Sequence, residues 1–533
     1  MARSTADVVV VGAGFAGVYA LHKFREVGLS VQVYDKAGGI GGTWWWNQYP
    51  GCRCDIPSLD YQYSFSPALA KKWKWSEKYS DAQEIASYID WVAEELGLKD
   101  DIQLDTEVTS ARYDEARNVW TVRTNTGDVT ECTYLVWGTG CLSQPQAPKF
   151  AGLENFKGEW YHTGWWPRTD PDWSGKRVAV VGTGSSGVQI IQTVAPLCGE
   201  LTVFQRTPNY VQDAFNVPLE DAAWQERNAI FEENAIAKRR SQFGIDLPPP
   251  ATASQLSKDE AMAIIEEKWN LGGLPLVGAF NDIIIDTESN KLPAEYFATK
   301  IREKVSDPDV AELLIPSTYY YGTKRVCLGI GYYETYNREN VTLVPIKSNP
   351  IDHISERGIV LADGTEYESD IIVFATGFDA MTGALNAIEI VGEGGKTLKD
   401  AWANGPAAYL GIAVAGFPNM FTVTGPGSPS VFTNVVVSIE QHIDWLADAI
   451  TALRANGVAK IEPSPEAQAA WVASIAETAE ATLMVKTDSW YIGANIPGKP
   501  RVFLAYMLGI GTYQDIIDDV AAKNFEGFEL TPA

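Results

Sequence analysis

Two strand–glycine-loop–helix units, "DVVVVGAGFAG" (Asp7 to Gly17) and "RVAVVGTGSSG" (Arg177 to Gly187), lie about 170 residues apart in a chain of 533 residues. Further along from each comes an apolar strand that feeds a small-residue turn: "YLVWGTG" (Tyr134 to Gly140) after the first and "IIVFATG" (Ile371 to Gly377) after the second. Between Pro218 and about Lys304 the pattern changes to apolar residues at helical spacing with charges between them. These three observations predict an α/β protein of two Rossmann-like dinucleotide-binding domains with a helical insertion in the second. The predicted bounds are 1–146 and 378–533 for the first domain, 147–217 and 324–377 for the second, and 218–323 for the insertion.

The composition suits such a molecule. Hydrophobic residues make up 46% and charged residues 21%, as in ordinary globular proteins. The net charge of −26 repels phosphate backbones and anionic lipid, so neither nucleic acid nor a membrane surface is an expected partner. No apolar run reaches the roughly 20 residues of a membrane span. The run from Val8 to Ala20 is broken by three glycines and lacks a charged leader, so it reads as strand, turn and helix. Six cysteines make no disulfide framework, and Cys52 and Cys54 are spaced C-x-C with no nearby histidine. A metal site is not expected, and a reducing cytoplasm fits. The sequence does not give the oligomeric state, for which a monomer is the default.

In the first unit Gly12, Gly14 and Gly17 permit a tight turn and a close approach of backbone to a pyrophosphate at the helix N-terminus. The next strand, "SVQVYD", ends in Asp35, 18 residues after Gly17. A carboxylate there accepts both ribose hydroxyls of adenosine and repels a 2′-phosphate, so the unit suits FAD or NAD. Next comes "GGIGGTWWWNQYPGCRCD" (Gly38 to Asp55), in which Gly42, Thr43 and Trp44 are candidate cofactor contacts. Three adjacent indoles in a loop cannot all face one core. Some are expected to meet cofactor or substrate, the alternative being a tryptophan-rich seam between domains.

The second unit repeats the geometry with Gly182, Gly184 and Gly187, and its next strand, "ELTVFQR", ends in Arg206, 19 residues after Gly187. The sign of the terminal charge is reversed. A guanidinium pairs with a 2′-phosphate, and Thr207 adds a hydroxyl, so this unit suits NADPH. One unit holding FAD and one bringing NADPH to reduce it make a flavin oxidoreductase. In the insertion, "EDAAWQERNAIFEENAIAKRR" and "SKDEAMAIIEEKW" read as helices separated by the loop "GIDLPPPATAS". Beyond Phe378, "SIEQHIDWLADAITALRANG" reads as a helix stopped by Gly457.

Ahead of the second unit lies "FKGEWYHTGWWP", in which Phe156, Gly158, His162, Thr163, Trp166 and Pro167 fill the pattern F-x-G-x-x-x-H-T-x-x-W-P. Gly41, Gly42, Trp44, Tyr49, Pro50, Gly51 and Asp55 fill a second pattern. With the two glycine loops, the chain resembles the flavin-dependent Baeyer–Villiger monooxygenases of the cyclohexanone and phenylacetone type along essentially its whole length. The resemblance implies an NADPH- and O₂-dependent conversion of ketones to esters or lactones through a C4a-peroxyflavin, with sulfoxidation as a side activity. It implies that "YGTKRVC" (Tyr321 to Cys327) is the active-site segment. Arg325 would then face the flavin, Asp55 would pair with it, and Lys324 would help hold the 2′-phosphate. On the residues alone, Lys324 and Arg325 are equally an exposed basic pair on a domain edge. The His162 segment would be a linker that couples domain movement. "DSWYIGANIPGKP" (Asp488 to Pro500) resembles a mobile loop closing on NADP, with Trp490 beside nicotinamide and substrate. "GPGSPSVFTNVVVSIE" resembles a pocket loop, making Phe432 and Val435 candidate substrate contacts; either could instead be core.

Trp45 and Gln48 stand where the cyclohexanone-type pattern has Tyr and Arg, and Ile56-Pro57 where it has Thr-Glu, which leaves substrate choice open. The competing readings are an N- or S-hydroxylating flavin monooxygenase, against which Trp166-Pro167 and Arg325 speak; a disulfide reductase, which needs a C-x-x-C or C-x₄-C pair; and a non-enzymatic flavin or NADP sensor.

Overall fold

Val8 and Val10 pack into one apolar cluster with Ala16, Leu21 and Phe24, and Val9 and Val11 into another with Trp120 and Trp137. A strand covered on both faces has no need of polar alternation, which is why the first unit opens on four valines. The computed structural model describes residues 3–245 and 247–533. Its first sheet runs Glu389–Val391, Val108–Asp114, Val119–Thr124, Val129–Trp137, Arg3–Val11, Val31–Tyr34, Ile102–Gln103, with Met420–Thr422 paired to the end of Val129–Trp137. Arg3–Val11 is parallel to both neighbours. Val119–Thr124 is antiparallel to both of its own, so the sheet is mixed.

The second sheet runs Val341–Pro345, Glu200–Gln205, Arg177–Val181, Ile371–Phe374, Glu159–His162, and every pairing is parallel. The two helices that follow the glycine loops, Phe15–Glu26 and Ser185–Val194, pack on these sheets. Between residues 218 and 323 come the helices Asp221–Ala229, Phe231–Arg240, Lys258–Leu271, Thr287–Lys304 and Pro308–Leu314. The loop "GIDLPPPATAS" has no α-helix over its described residues and ends in the 3-10 turn Ala253–Gln255; Asp246 lies outside the described residues. The helix Val435–Ala455 stops two residues short of Gly457, which has φ +65°. In its second turn Glu440 is fully buried and accepts the N–H of Ser64 at 2.6 Å, while Arg239 of the insertion approaches it at 3.7 Å. No helix among the described residues is long and apolar enough to cross a membrane.

Two local expectations are corrected. The three tryptophans do not lie in an open loop: Thr43–Trp46 forms one helical turn. Helical spacing splays the rings apart, so Trp44 is buried and donates to the Tyr61 hydroxyl at 3.3 Å, whereas Trp45 and Trp46 are half-buried. The His162 segment is not a free linker. Glu159–His162 is the edge strand of the second sheet, because its backbone finds ladder partners on Ile371–Phe374.

His442 and His162 are both fully buried. His442 Nδ1 accepts the N–H of Thr424 at 3.1 Å, so Nε2 carries the proton and meets the Tyr513 hydroxyl at 2.9 Å. Burial pushes the His442 pKa down to about 3 and that of His162 to about 4. In the unfolded chain both return to about 6.5. Protons therefore bind only the unfolded state below that value, and the stability of the neutral pair is lost as pH falls from 6.5 through 4 toward 3. The melting temperature is expected to fall across this window, and to fall less in His442→Gln; thermal unfolding as a function of pH measures both.

Candidate active site

Asp55 and Arg325 are 270 positions apart in sequence and in direct contact. Arg325 stands just before the short strand Cys327–Gly329, which pairs with Val211–Asp213. Its Nε donates to one Asp55 oxygen at 2.7 Å, its Nη2 to the other at 2.9 Å, and its Nη1 to the Val431 carbonyl at 3.0 Å. Burial works against the guanidinium charge, but the field and hydrogen bonds of Asp55 outweigh it, so the pKa of Arg325 is raised. Three of its five N–H groups are thereby occupied. The side chain remains 26% exposed, so the cation is fixed in direction yet open on one side.

Aromatic residues crowd that position. Val431, whose carbonyl takes Arg325, brings Phe432 beside Tyr491 with ring centres 4.6 Å apart, and Phe503 stands 5.7 Å from Phe432. Trp490 and Tyr491, in the turn Trp490–Ile492, are 4.3 Å apart. The loop carrying them is tied back by Lys499 on Asp379 at 2.5 Å and by Asn495 on the Phe378 carbonyl at 2.8 Å. Val435 is the first residue of its helix and is half-buried.

The glycine loops explain themselves by distance. A Cβ on Gly17 would lie 1.7 Å from the Gly12 oxygen, and one on Gly187 would lie 2.1 Å from the Gly182 oxygen. Gly12 and Gly182 have φ near +110°, where L side chains are strained. Gly14 packs against Gly42, whose own Cβ would lie 2.9 Å from Gly14 Cα. Gly184 differs: nothing lies within 4 Å of its Cβ direction. Protein packing therefore does not require glycine there, and the position is open to a group approaching from outside. Both helices begin without a side-chain cap or an acid in the first turn, in contrast to Ala82–Glu95, which Asp81 caps. Their free N–H groups and dipoles fit the phosphates of a dinucleotide.

Asp35 is placed at the end of its strand as expected, but it does more than await a ribose. Its two oxygens accept the N–H groups of Ala13 at 2.6 Å and Ala37 at 2.8 Å and so hold the glycine loop to the strand. Arg206 is exposed at the end of Glu200–Gln205. Thr207 uses its carbonyl to accept from Thr183 at 3.0 Å. Lys324 stands over the Tyr319 ring at 4.5 Å, and its pKa is lowered, first by burial and then by the positive charge of Arg206. The positive charge of Arg206 thus acts on Lys324 from the end of the strand Glu200–Gln205.

His162 does not reach this site. Its Nδ1 accepts from Gly164 at 3.0 Å, its Nε2 meets Thr376 at 3.2 Å, and its ring lies against Trp165. Thr163 is buried beside it, and Trp166 donates to Asp170 at 2.8 Å. Gly158 is required because a Cβ would lie 2.4 Å from the Asp370 oxygen, with the Phe156 ring next nearest. The segment's link to the first unit comes just after Pro167: the Arg168 guanidinium lies over the Trp45 ring at 3.7 Å. A second link is Tyr49, which donates to Gln189 at 2.7 Å, while a Cβ on Gly51 would lie 2.2 Å from Thr193. Sequence reading missed Arg168, Gln189, Val431 and Tyr491. Arg168 and Tyr491 each adjoin a quoted motif residue; Val431 acts through its backbone, which no residue type announces.

A family model described as pyridine nucleotide-disulphide oxidoreductase matches residues 9–237. All six cysteines are free, and burial pushes the thiol of Cys52 up to about 12 and that of Cys54 well above its usual range, the reverse of a reactive thiolate. The chain is 42% identical to the acetone monooxygenase (methyl acetate-forming) of Gordonia sp. (strain TY-5), covering 100% of both chains. It is 43% identical to a Baeyer-Villiger monooxygenase of Pseudooceanicola batsensis, covering 97% of this chain and 95% of that one. A solved structure of an oxidized steroid monooxygenase bound to NADP superposes with a TM-score of 0.95 at 48% identity, covering 99% of this chain and 100% of that one.

Two substitutions separate packing from ligand approach. Gly187→Ala is expected to misfold or melt several degrees lower, whereas Gly184→Ala should melt like the wild type and raise the KM for NADPH; thermal unfolding and steady-state kinetics check the pair. Arg206→Ala should weaken NADPH binding far more than NADH binding, and equal weakening in a titration of both would place the 2′-phosphate elsewhere.

Proposed function

The chain belongs to the Baeyer–Villiger monooxygenases, and we propose that it inserts one oxygen atom of O₂ beside a ketone carbonyl to give an ester or lactone. The other oxygen atom leaves as water, with two electrons from NADPH. FAD, when bound, supplies the centre that activates oxygen, and NADPH supplies the hydride that reduces it.

The observation that carries the assignment to this site is the bidentate Arg325–Asp55 pair. Negative charge develops on the ketone oxygen as the carbonyl is attacked. A guanidinium already held in place stabilises that charge without reorganising. Asp55 keeps Arg325 protonated and fixes its plane, and the Val431 carbonyl fixes its remaining direction. Trp490, Phe432 and Phe503 keep water from the same opening. We assign residues 1–146 and 378–533 to FAD through Gly12, Gly14, Gly17, Asp35, Gly42, Thr43 and Trp44. Residues 147–217 and 324–377 take NADPH through Gly182, Gly184, Gly187, Arg206, Thr207 and Lys324, with Trp490 closing over it. The spare lone pairs of Asp35 remain for the adenosine ribose. One chain contains every residue named, which supports a monomer as the working unit, and six unpaired cysteines support a reducing cytoplasm. Oxidation of a sulfide at the same site is the expected side activity.

Arg325→Ala is expected to lower ester formation about 10²–10³-fold while NADPH is still consumed and its electrons appear as H₂O₂. Asp55→Asn should lower it in the same direction, and the double variant should be no worse than Arg325→Ala alone, because the two act as a unit. Product chromatography beside a peroxide assay on wild type and variants tests this. Equal ester yields in wild type and Arg325→Ala would overturn the assignment.

A further inference from the structure

Tyr491 is buried at 3% exposure and carries a phenol hydroxyl into that buried position. Its ring is held between two aromatic neighbours, Trp490 at 4.3 Å and Phe432 at 4.6 Å. Its backbone is held too, because its carbonyl accepts the N–H of Leu504 at 3.0 Å. Phe432 follows Val431, the residue whose carbonyl takes Arg325 at 3.0 Å. The phenol ring thus packs on the residue next to a direct partner of the guanidinium. Its hydroxyl lies within the electrostatic reach of both Arg325 and Asp55.

We propose that the Tyr491 hydroxyl is a second hydrogen-bond donor to the ketone oxygen, acting beside Arg325. The reasoning is one of direction. Arg325 carries only donors, so a phenol facing it turns its oxygen lone pairs toward the cation. The O–H is then directed away from the guanidinium, where a ketone oxygen drawn to the partly exposed Arg325 can accept it. Two donors converging from different residues fix a carbonyl oxygen in position as well as in charge, which one planar guanidinium does not. Burial, only partly offset by the charge of Arg325, pushes the phenol up to about 12. It therefore stays protonated near neutral pH and serves as a donor and not as a base.

The proposal rests on the ketone reading above. The test uses the flavin-loaded full-length enzyme and Tyr491→Phe, which keeps the ring and its stacking and removes only the hydroxyl. Three quantities are read: flavin content, the rate of anaerobic flavin reduction by NADPH, and ester and H₂O₂ formed per NADPH. The probes are acetone, cyclohexanone and acetophenone, using whichever the wild type turns over fastest. Flavin content and reduction rate are expected to be unchanged. The kcat/KM for the ketone is expected to fall about tenfold, the worth of one neutral hydrogen bond, and the share of NADPH ending as H₂O₂ to rise. A variant with unchanged kcat/KM and unchanged coupling would overturn the proposal and leave Tyr491 as a packing ring. Flavin loss, or a reduction rate falling in step with kcat/KM, would overturn it as well, since the hydroxyl would then serve the fold or the nicotinamide. If the wild type forms no ester from any of the three ketones, the ketone reading fails and this proposal fails with it.

Discussion

The contact between Asp55 and Arg325 is the constraint around which the two halves of this molecule are arranged. Each side chain is about a quarter exposed, so neither is a simple surface charge. Taking a guanidinium out of water is unfavourable unless an acceptor of matching shape replaces the water, and a carboxylate gripped through Nε and Nη2 is that acceptor. Asp55 comes from the segment after the first glycine loop and Arg325 from just beyond the insertion, where the chain re-enters the second unit. The pair therefore forms only when the two glycine-loop units are seated against each other. Tyr49 on Gln189, Gly51 against Thr193 and Arg168 over Trp45 seat them.

The glycines serve two physical ends that a motif does not separate. Gly12, Gly17, Gly182 and Gly187 are small because protein backbone lies where a side chain would go. Gly14 and Gly42 are small because they meet each other. Gly184 alone of this set faces open space. The first loop is thus largely enclosed by protein, as suits a cofactor held throughout turnover, and the second is open at its middle glycine, as suits one that enters and leaves.

The overall charge of −26 opposes the approach of any phosphate. The cations at the second loop act against that background. Lys324 and Arg206 lie close enough to lower the proton affinity of the lysine. Such like-charge crowding is unfavourable without a counter-ion and is relieved by one. On the proposed reading, specificity for an added phosphate arises from this local reversal of the protein's own field.

Much of this was legible in the residues. Two glycine loops, the four valines before the first, and a strand-end acid in one unit against a strand-end arginine in the other are features a few residues long. They report local backbone geometry and local charge, which sequence preserves. The helical insertion and the stop at Gly457 were legible for the same reason. What sequence alone did not determine is whatever depends on a partner far along the chain. The mixed character of the first sheet comes from the meander between residues 108 and 137. The fate of the three tryptophans depends on one helical turn and on Arg168, and the placement of the His162 segment depends on ladder partners more than 200 residues away. Arg325 was singled out only through a family pattern, since by residue type it is one cation among 42. Only the tertiary structure decided that it faces Asp55 and the Val431 carbonyl together, because distances between residues hundreds of positions apart are set by packing and not by spacing.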